Sequence, residues 1–405
     1  MKNIQKFKEF NSYGKEEIKA AHKVVETGIL SGFIANKSEE FYGGKYVLKL
    51  ENAFRKYFKV KHAISVNSWT SGLVCAVGAL KINPGDEIIV SPWTMSASAT
   101  AIIAWGGIPI FSQIDEKTYC LDPNFIEEKI TKKTKAILVV DIFGQSADYS
   151  KINKIAKKYN LKVISDTAQS IGSKYKNKYS GTLCDIGGFS LNRHKHIHCG
   201  EGGIVITNNS KLAQNIYMIR NHGEVINKNK SFTNLIGFNF RLGEVEAAIS
   251  IEQLKKLKRI IKKKQNSARL LSKLIKNLKG LHTPKLGAGN THVYYSYPLQ
   301  IDENQTKYSK QKIFKELLKI GAPVNDGYVN LLDYNIYKNN NFKNFPFSYV
   351  KNKTIYSKKN PVYKQIINLN KKIHLDIPFC KYDFDKKDIE FISKSFHQVW
   401  KKLGI

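Results

Sequence analysis

Residues 189–203 read FSLNRHKHIHCGEGG, and the reading of this stretch decides the fold. His194, His196 and His198 stand at alternate positions, Cys199 follows them, and one lysine, Lys195, lies among them. In an extended segment the histidines share one face, as metal ligands spaced i, i+2 do, while Lys195 points the other way. A zinc site requires three or four converging ligands with supporting partners behind them. No HExxH, paired carboxylates or further Cys/His cluster completes such a set. The histidines therefore read as the lining of a polar pocket, without a metal, and Lys195 as its reactive group. The glycines of GEGG (200–203) let the backbone turn tightly behind the lysine.

Outward from this stretch, short β-rich runs alternate with segments of helical spacing. HAISVN (62–67) precedes TSGLVCAVGALK (70–81), and EIIV (87–90) precedes TMSASATAIIAW (94–105). IPIFSQI (108–114), AILVVDIF (136–143), YSKINKIAKKYN (149–160), LKVISD (161–166), GGFSL (187–191) and GIVIT (203–207) continue the pattern. The alternation predicts an α/β fold with a large, mostly parallel, helix-covered sheet. Ligands of such sheets sit beyond the carboxyl ends of the strands, which directs attention to the loops after 67, 90, 165 and 191. Residues 243–277 keep apolar positions at helical spacing beneath a lysine-rich face, which predicts one long connecting helix. Beyond about residue 280 the composition shifts to Tyr, Asn and Lys with short strands such as VYYSYPLQI (293–301). We expect a large domain over 1–242 with an N-terminal arm, a connecting helix over 243–279, and a smaller α+β domain over 280–405. Segment 334–364 reads as a surface excursion.

A formal net charge of +33 raises the possibility of a nucleic-acid partner. Only Arg55, Arg193, Arg220, Arg241, Arg259 and Arg269 are arginines among 66 basic residues, although guanidinium forks suit base and phosphate contacts best. The lysines are spread along the chain beside many Asn and Ile, so the charge reads as compositional bias on solvated surface. Neither nucleic acid nor membrane is expected as a partner. No apolar run approaches the ~18 residues of a membrane span, and the amino terminus has no apolar signal-peptide core. Five scattered cysteines without a CxxC pair suggest reduced thiols, and the expected location is the cytoplasm.

Three motifs acquire meaning together. NSWTSG (67–72) lies between a strand and a helix, where backbone N–H groups and hydroxyls meet an anion; alone it is an ordinary N-cap. Asp166 ends a strand and Gln169 follows three residues later; alone, Asp166 caps a turn. Pyridoxal phosphate requires a lysine for its Schiff base, a carboxylate opposite the pyridine nitrogen, a phosphate cup and a flat group against its ring. Lys195, Asp166, Ser68 with Thr70, and Trp93 supply all four.

FSLNRHKHIHCGEGG also resembles the FSxxxxKxxxxGEGG signature of the DegT/DnrJ-type (StrS-like) sugar aminotransferases, a fold-type I pyridoxal phosphate family. The resemblance extends through GILSG (28–32), LENAFRKYFKVKHAISVNS (50–68), NPGDEIIVSPWT (83–94), VISDTAQSIG (163–172), RNHG (220–223) and GFNFRLGEVEAAI (237–249). It implies that Lys195 carries the cofactor, Asp166 partners the pyridinium, and Gln169 lies beside the ring oxygen. Ser190, Thr70 and the backbone at Trp69 would form the phosphate cup with Ser68. Asn239 resembles the asparagine that reaches the phosphate from a neighbouring subunit, which implies a homodimer with shared active sites. Three positions depart from the family pattern. Trp69 replaces a glycine, Met95 occupies the place of the ring-stacking aromatic and leaves Trp93 as a second candidate, and Ser165 replaces an acid before Asp166. Relatives with histidine at the lysine position dehydrate instead; Lys195 argues for amino transfer.

The resemblance implies two half-reactions, in which nitrogen from a donor amino acid, glutamate, passes to a nucleotide-linked keto-sugar for deoxyamino-sugar and surface-polysaccharide synthesis. A cyclitol ketone is the alternative acceptor, and a cofactor-binding or regulatory relative without turnover the alternative class. Lys195 would act as general base and acid, so its ordinary pKa of ~10.4 must fall. Where lysine is the default cation, Arg193 and Arg241 stand out as candidates for a phosphate or donor carboxylate, with structural salt bridges as the alternative. His194, His292 in THVYYSY (291–297) and Tyr328 in NDGYVNLL (325–332) complete the candidate substrate residues. The sugar, its nucleotide and the carbon aminated depend on loops that spacing does not decode.

Overall fold

A computed structural model describes residues 5–35, 38–224, 235–338 and 360–405, so most of the 334–364 excursion lies outside the described residues. In chain order come α1 (Lys15–Val25), α2 (Lys45–Phe58), β1 (His62–Val66), α3 (Trp69–Ala79), β2 (Glu87–Val90), α4 (Ser96–Ile103) and β3 (Ile108–Phe111). Then follow β4 (Thr134–Val140), α5 (Tyr149–Lys158), β5 (Lys162–Asp166), a small hairpin β6 (Lys174–Tyr175) and β7 (Lys178–Tyr179), β8 (Ile186–Ser190), β9 (Gly203–Thr207) and α6 (Ser210–Arg220). The long helix α7 (Glu244–Ile275) leads to β10 (Leu281–His282), β11 (Tyr297–Ile301), α8 (Glu303–Thr306), α9 (Lys310–Ile320) and β12 (Asn325–Asp326). The chain closes with α10 (Asn335–Lys338), α11 (Pro361–Asn368), β13 (His374–Ile377) and α12 (Lys386–Leu403).

Seven strands form one sheet in the order β1-β9-β8-β5-β4-β2-β3. β3, β2, β4, β5 and β8 run parallel, and β9 is antiparallel to both β8 and β1. Side chains alternate faces along each strand. Ile64 and Val66 of β1 and Val205 of β9 join Leu73, Val77, Ile102 and Ile216 of α3, α4 and α6 in one core. Ala63, Ile204, Ile206 and Phe189 join Leu50, Phe54, Leu254 and Leu257 of α2 and α7 in another, on the opposite face. Helix-covered parallel strands must be apolar on both faces, which is why these runs are nearly continuous in Val and Ile.

Helix α7 serves two cores, because its period of 3.6 persists over 32 residues. Its carboxyl half contributes Ala268, Leu271 and Ile275 to a third core with Leu299, Leu375, Ile313, Phe396 and Trp400 around the sheet β10-β11-β13-β12. The amino-terminal segment packs on this third core: Phe7 meets Tyr382 and Phe384, and Phe10 N–H donates to the Lys381 carbonyl. The strand expected over 293–301 starts only at Tyr297. Tyr294 has φ +55°, and Val293 and Ser296 N–H donate instead to the carbonyls of Gly144 and Phe143. That turn of the large sheet competes successfully for the backbone.

Arg220 lies at the end of α6, fully buried, with an ion pair of 2.7 Å to Glu51 of α2 and bonds to the carbonyls of Ser65 and Tyr42. It ties α2, β1 and α6 together. Removing one partner of a buried pair strands the other charge without water. Arg220→Met should therefore lower the unfolding free energy by about 3–5 kcal/mol. Urea denaturation checks this, and a wild-type midpoint would show that the pair anchors nothing.

Candidate active site

Parallel strands bring the carboxyl ends of β5 and β8 to one edge, which places Asp166 and Ser190 there by register: Asp166 pairs with Gly188, two residues before Ser190. After Ser190 the chain closes a tight loop instead of continuing as a strand. Lys195 N–H donates to the Asn192 carbonyl, Arg193 N–H to Gly200 and Cys199 N–H to Leu191. The three histidines thus do not share a face, because a looped backbone loses the period of two. His194 is exposed, His196 is fully buried, and His198 is half-buried against the ring of Tyr13. His196 Nε2 bonds the Val293 carbonyl at 2.7 Å, a structural role. Among the described residues no group of three or more His, Cys, Asp or Glu converges on a metal position.

Lys195 is buried, its amine 4.6 Å from the centre of the Tyr295 ring. Burial pushes its pKa below the ordinary lysine value, with the negative charge of Asp166 opposing the shift. Tyr295 is the residue that sequence reasoning missed. THVYYSY drew attention, but nothing in its spacing tells which aromatic faces the lysine. His292, chosen from that stretch, is fully buried and accepts Tyr294 N–H on Nδ1 at 2.9 Å, outside the cleft lining.

Asp166 is held from three directions. Trp69 Nε1–H donates to Oδ1 and Ser98 Oγ–H to Oδ2, each at 2.7 Å, and Ala168 N–H adds 3.2 Å to Oδ1. Met95 caps α4 three residues before Ser98 and is half-exposed, an apolar side chain with room on one side. Trp93 is fully buried among Tyr119, Tyr328 and His374. Ser165 bonds Asp141, Tyr149 and Thr167 beneath the site, and burial pushes Asp141 up to about 7.

Gln169 joins the two halves of the molecule. Its Oε1 accepts Phe143 N–H and its Nε2 donates to Tyr328 Oη, both at 2.8 Å. Phe143 holds this position in a left-handed conformation, φ +59°, unusual for a bulky side chain and typical of functional turns.

Ser68 caps α3 by accepting Ser71 N–H at 3.1 Å, and Thr70 is exposed on the first turn. Ser190 pairs with Gly203, whose missing Cβ would lie 2.7 Å from Trp69 N. Ser68, Thr70 and Ser190 are thereby gathered at the amino end of a helix, where an anion is favoured. Asn239 and Arg241 lie on the rim: the Phe240 carbonyl accepts Asn67 N–H, and Arg241 Nε donates to Asn239 Oδ1 at 2.8 Å. A cleft of about 720 Å³ is lined by Arg193, His194, His198, Tyr328, Asp376 and Tyr295, the ring that the Lys195 amine meets, among others. Burial raises Asp376 to about 6. A second cavity, of about 440 Å³, lies between residues 10–16 and α7, and neither Lys195 nor Asp166 is in the lining of either space. A buried amine, a carboxylate with lone pairs to spare, an anion-binding helix end and an uncovered thioether suit the donor set that pyridoxal phosphate needs.

Burial also holds His196, His292 and His374 neutral down to about pH 3 and His198 down to about 4, against 6.5 when unfolded. The unfolded chain therefore binds protons that the fold refuses. Each of these histidines should contribute stability that is full above pH 6.5 and falls with acidification, by about 1.4 kcal/mol per pH unit for fully buried His196, His292 and His374 and by less for half-buried His198, while the raised Asp141 and Asp376 carboxyls oppose the fall. Unfolding at pH 7 and pH 5 checks this, and His196→Asn should flatten the slope. A pH dependence identical in wild type and His196→Asn would mean that His196 is solvated.

Residues 34–359 match the model of the DegT/DnrJ/EryC1/StrS aminotransferase family. A dTDP-3-amino-3,6-dideoxy-alpha-D-galactopyranose transaminase from Aneurinibacillus thermoaerophilus is 37% identical over 72% of this chain and 77% of its own length. Helicobacter pylori PseC, an aminotransferase of pseudoaminic acid biosynthesis, superimposes with a TM-score of 0.82 at 26% identity, over 99% of this chain and 100% of that one. NtdA from Bacillus subtilis, solved with bound cofactor PMP, gives 0.78 at 27% identity over 99% and 87%. The matched range includes Ser68, Asp166 and Lys195, and the chain belongs to the DegT/DnrJ/EryC1/StrS aminotransferase family, with its fold-type I architecture.

Proposed function

We propose that this protein is a pyridoxal phosphate-dependent sugar aminotransferase that moves an amino group from glutamate to a nucleotide-linked keto-sugar. The carrying observation is the buried amine of Lys195 beside a carboxylate fixed by neutral donors. The sugar class follows from relatives named as a dTDP-aminosugar transaminase, GDP-perosamine synthases and PseC.

Bound pyridoxal phosphate supplies an electron sink for negative charge at the donor's α-carbon. Every other task falls to side chains. Lys195 would hold the cofactor through its amine and, once released, take the proton from the α-carbon and return it. Its depressed pKa leaves more of the amine as free base near neutrality, as a general base requires. Asp166 would keep a proton on the ring nitrogen. Ser68, Thr70, Ser190 and the first amides of α3 would bind the phosphate. Half-exposed Met95 is the better candidate than buried Trp93 to pack on the ring, through its polarizable sulfur. Gln169 and Tyr328 would border the ring oxygen, and exposed Arg193 at the cleft would take a carboxylate or phosphate.

A homodimer is part of this reading. Ile18, Val25, Ile29, Leu30, Ile34 and Leu48 are exposed apolar side chains in the amino-terminal segment, and exposed Asn239 would serve the neighbouring subunit's cup. We also place the protein in the cytoplasm: its five cysteines are free, and no described helix is long and apolar enough to cross a membrane.

Borohydride should fix the cofactor on Lys195, readable by peptide mapping, and Lys195→Ala should lose about 10³-fold or more in turnover. Glutamate should convert the bound chromophore to the amine form, and a panel of nucleotide keto-sugars should regenerate it. Label elsewhere would defeat the lysine assignment. Failure to convert with any amino acid would favour a non-transaminating relative, and regeneration by cyclitol ketones alone would move the acceptor class.

A further inference from the structure

Position 69 is where the resemblance calls for glycine, yet it holds the largest side chain available. Trp69 is 4% exposed, and room for its indole is cut from two glycines while a third admits its backbone. A Cβ at Gly188 would lie 2.0 Å from the indole ring, one at Gly72 2.6 Å from it, and one at Gly203 2.7 Å from the Trp69 backbone nitrogen. Trp69 starts α3, so its backbone faces the anion cup while its side chain runs back over β8. There Nε1–H meets Asp166 Oδ1 at 2.7 Å. The other oxygen is engaged by Ser98, which is itself joined to Thr94 at 3.0 Å.

We propose that Trp69 is a positioning residue of the amino-transfer reaction: its indole N–H sets the plane of the Asp166 carboxylate and takes up part of its negative charge, so that the ring-nitrogen proton stays on the ring. The inference rests on Asp166 being the partner of that nitrogen, as read above. A carboxylate has about four lone-pair positions. Trp69 and Ala168 occupy those of Oδ1 and Ser98 takes one of Oδ2, which leaves Oδ2 to receive the ring N–H. Each neutral donor takes up part of the negative charge on the carboxylate. Without the indole N–H, the carboxylate keeps more of its negative charge and is free to turn, it draws the shared proton closer, and the ring loses positive charge. A less positive ring raises the pKa of the nitrogen that joins the cofactor to Lys195, and this pKa is read directly from the absorbance of the holoenzyme against pH.

Trp69→Phe keeps an aromatic ring in the glycine-lined slot and removes the donor. The titration midpoint of the lysine-bound chromophore should rise by about 0.5 pH unit or more, the scale of one hydrogen bond to a charged group. It should move in the direction of Asp166→Asn and by less. Borohydride should still label Lys195. If Trp69→Phe misfolds, benzothienylalanine at position 69 keeps the bicyclic shape, exchanges N–H for sulfur, and carries the same expectation. A wild-type midpoint in either variant, with Asp166→Asn shifted, overturns the role of Trp69. If Asp166→Asn leaves the midpoint unchanged, or the wild type carries no chromophore on Lys195, the cofactor reading itself fails.

Discussion

The site depends on the burial of two ionisable groups, Lys195 and Asp166, at the carboxyl edge of one parallel sheet. Taking a charge out of water is costly unless hydrogen bonds replace its solvation. Asp166 receives that replacement from an indole, a hydroxyl and a backbone amide rather than from a cation. Lys195 meets the face of Tyr295, and its amine is displaced toward the neutral form. Neutral donors leave the carboxylate a lone pair to spare, and burial lowers the pKa of the amine below the ordinary lysine value. A direct ion pair would have consumed both groups.

The surrounding architecture holds that pair in place. The loop from Leu191 to Gly202 is closed by backbone bonds at its neck, so Lys195 is carried on a rigid turn. Tyr295 comes from the far side of α7, where residues 293–296 spend their backbone on the Phe143–Gly144 turn. Gln169 bonds that same turn and Tyr328 together. The cleft wall is thus assembled from segments more than a hundred residues apart, and the strained Phe143 sits where they meet.

Much of this was legible in the sequence because strands buried on both faces must be apolar without interruption, while their helices carry a period of 3.6. The strand ends at Asp166 and Ser190 and the cap at Ser68 follow from that pattern, as does the long helix spanning 244–275. What spacing left open has a common cause. Alternate histidines imply a shared face only in extended backbone, and the chain loops there instead. Trp93 and Met95 are two residues apart, and only packing shows one sealed against Tyr119, Tyr328 and His374 while the other keeps an open face. Tyr295 carried no signal at all, since YY in a tyrosine-rich chain gives no direction.

Periodicity, turn chemistry and motif order by themselves determined the class of fold and singled out Lys195 and Asp166, because these depend on local spacing and strand direction. The tertiary structure alone decided what surrounds them. Trp69 looked like a backbone contributor to an anion cup, yet its indole reaches a carboxylate 97 residues away. That contact exists because Gly72 and Gly188, from a helix and a strand, leave a slot for the indole that no one-dimensional pattern displays. Side-chain space is a property of assembled elements, and it is there that this site acquires the groups tuning its charge.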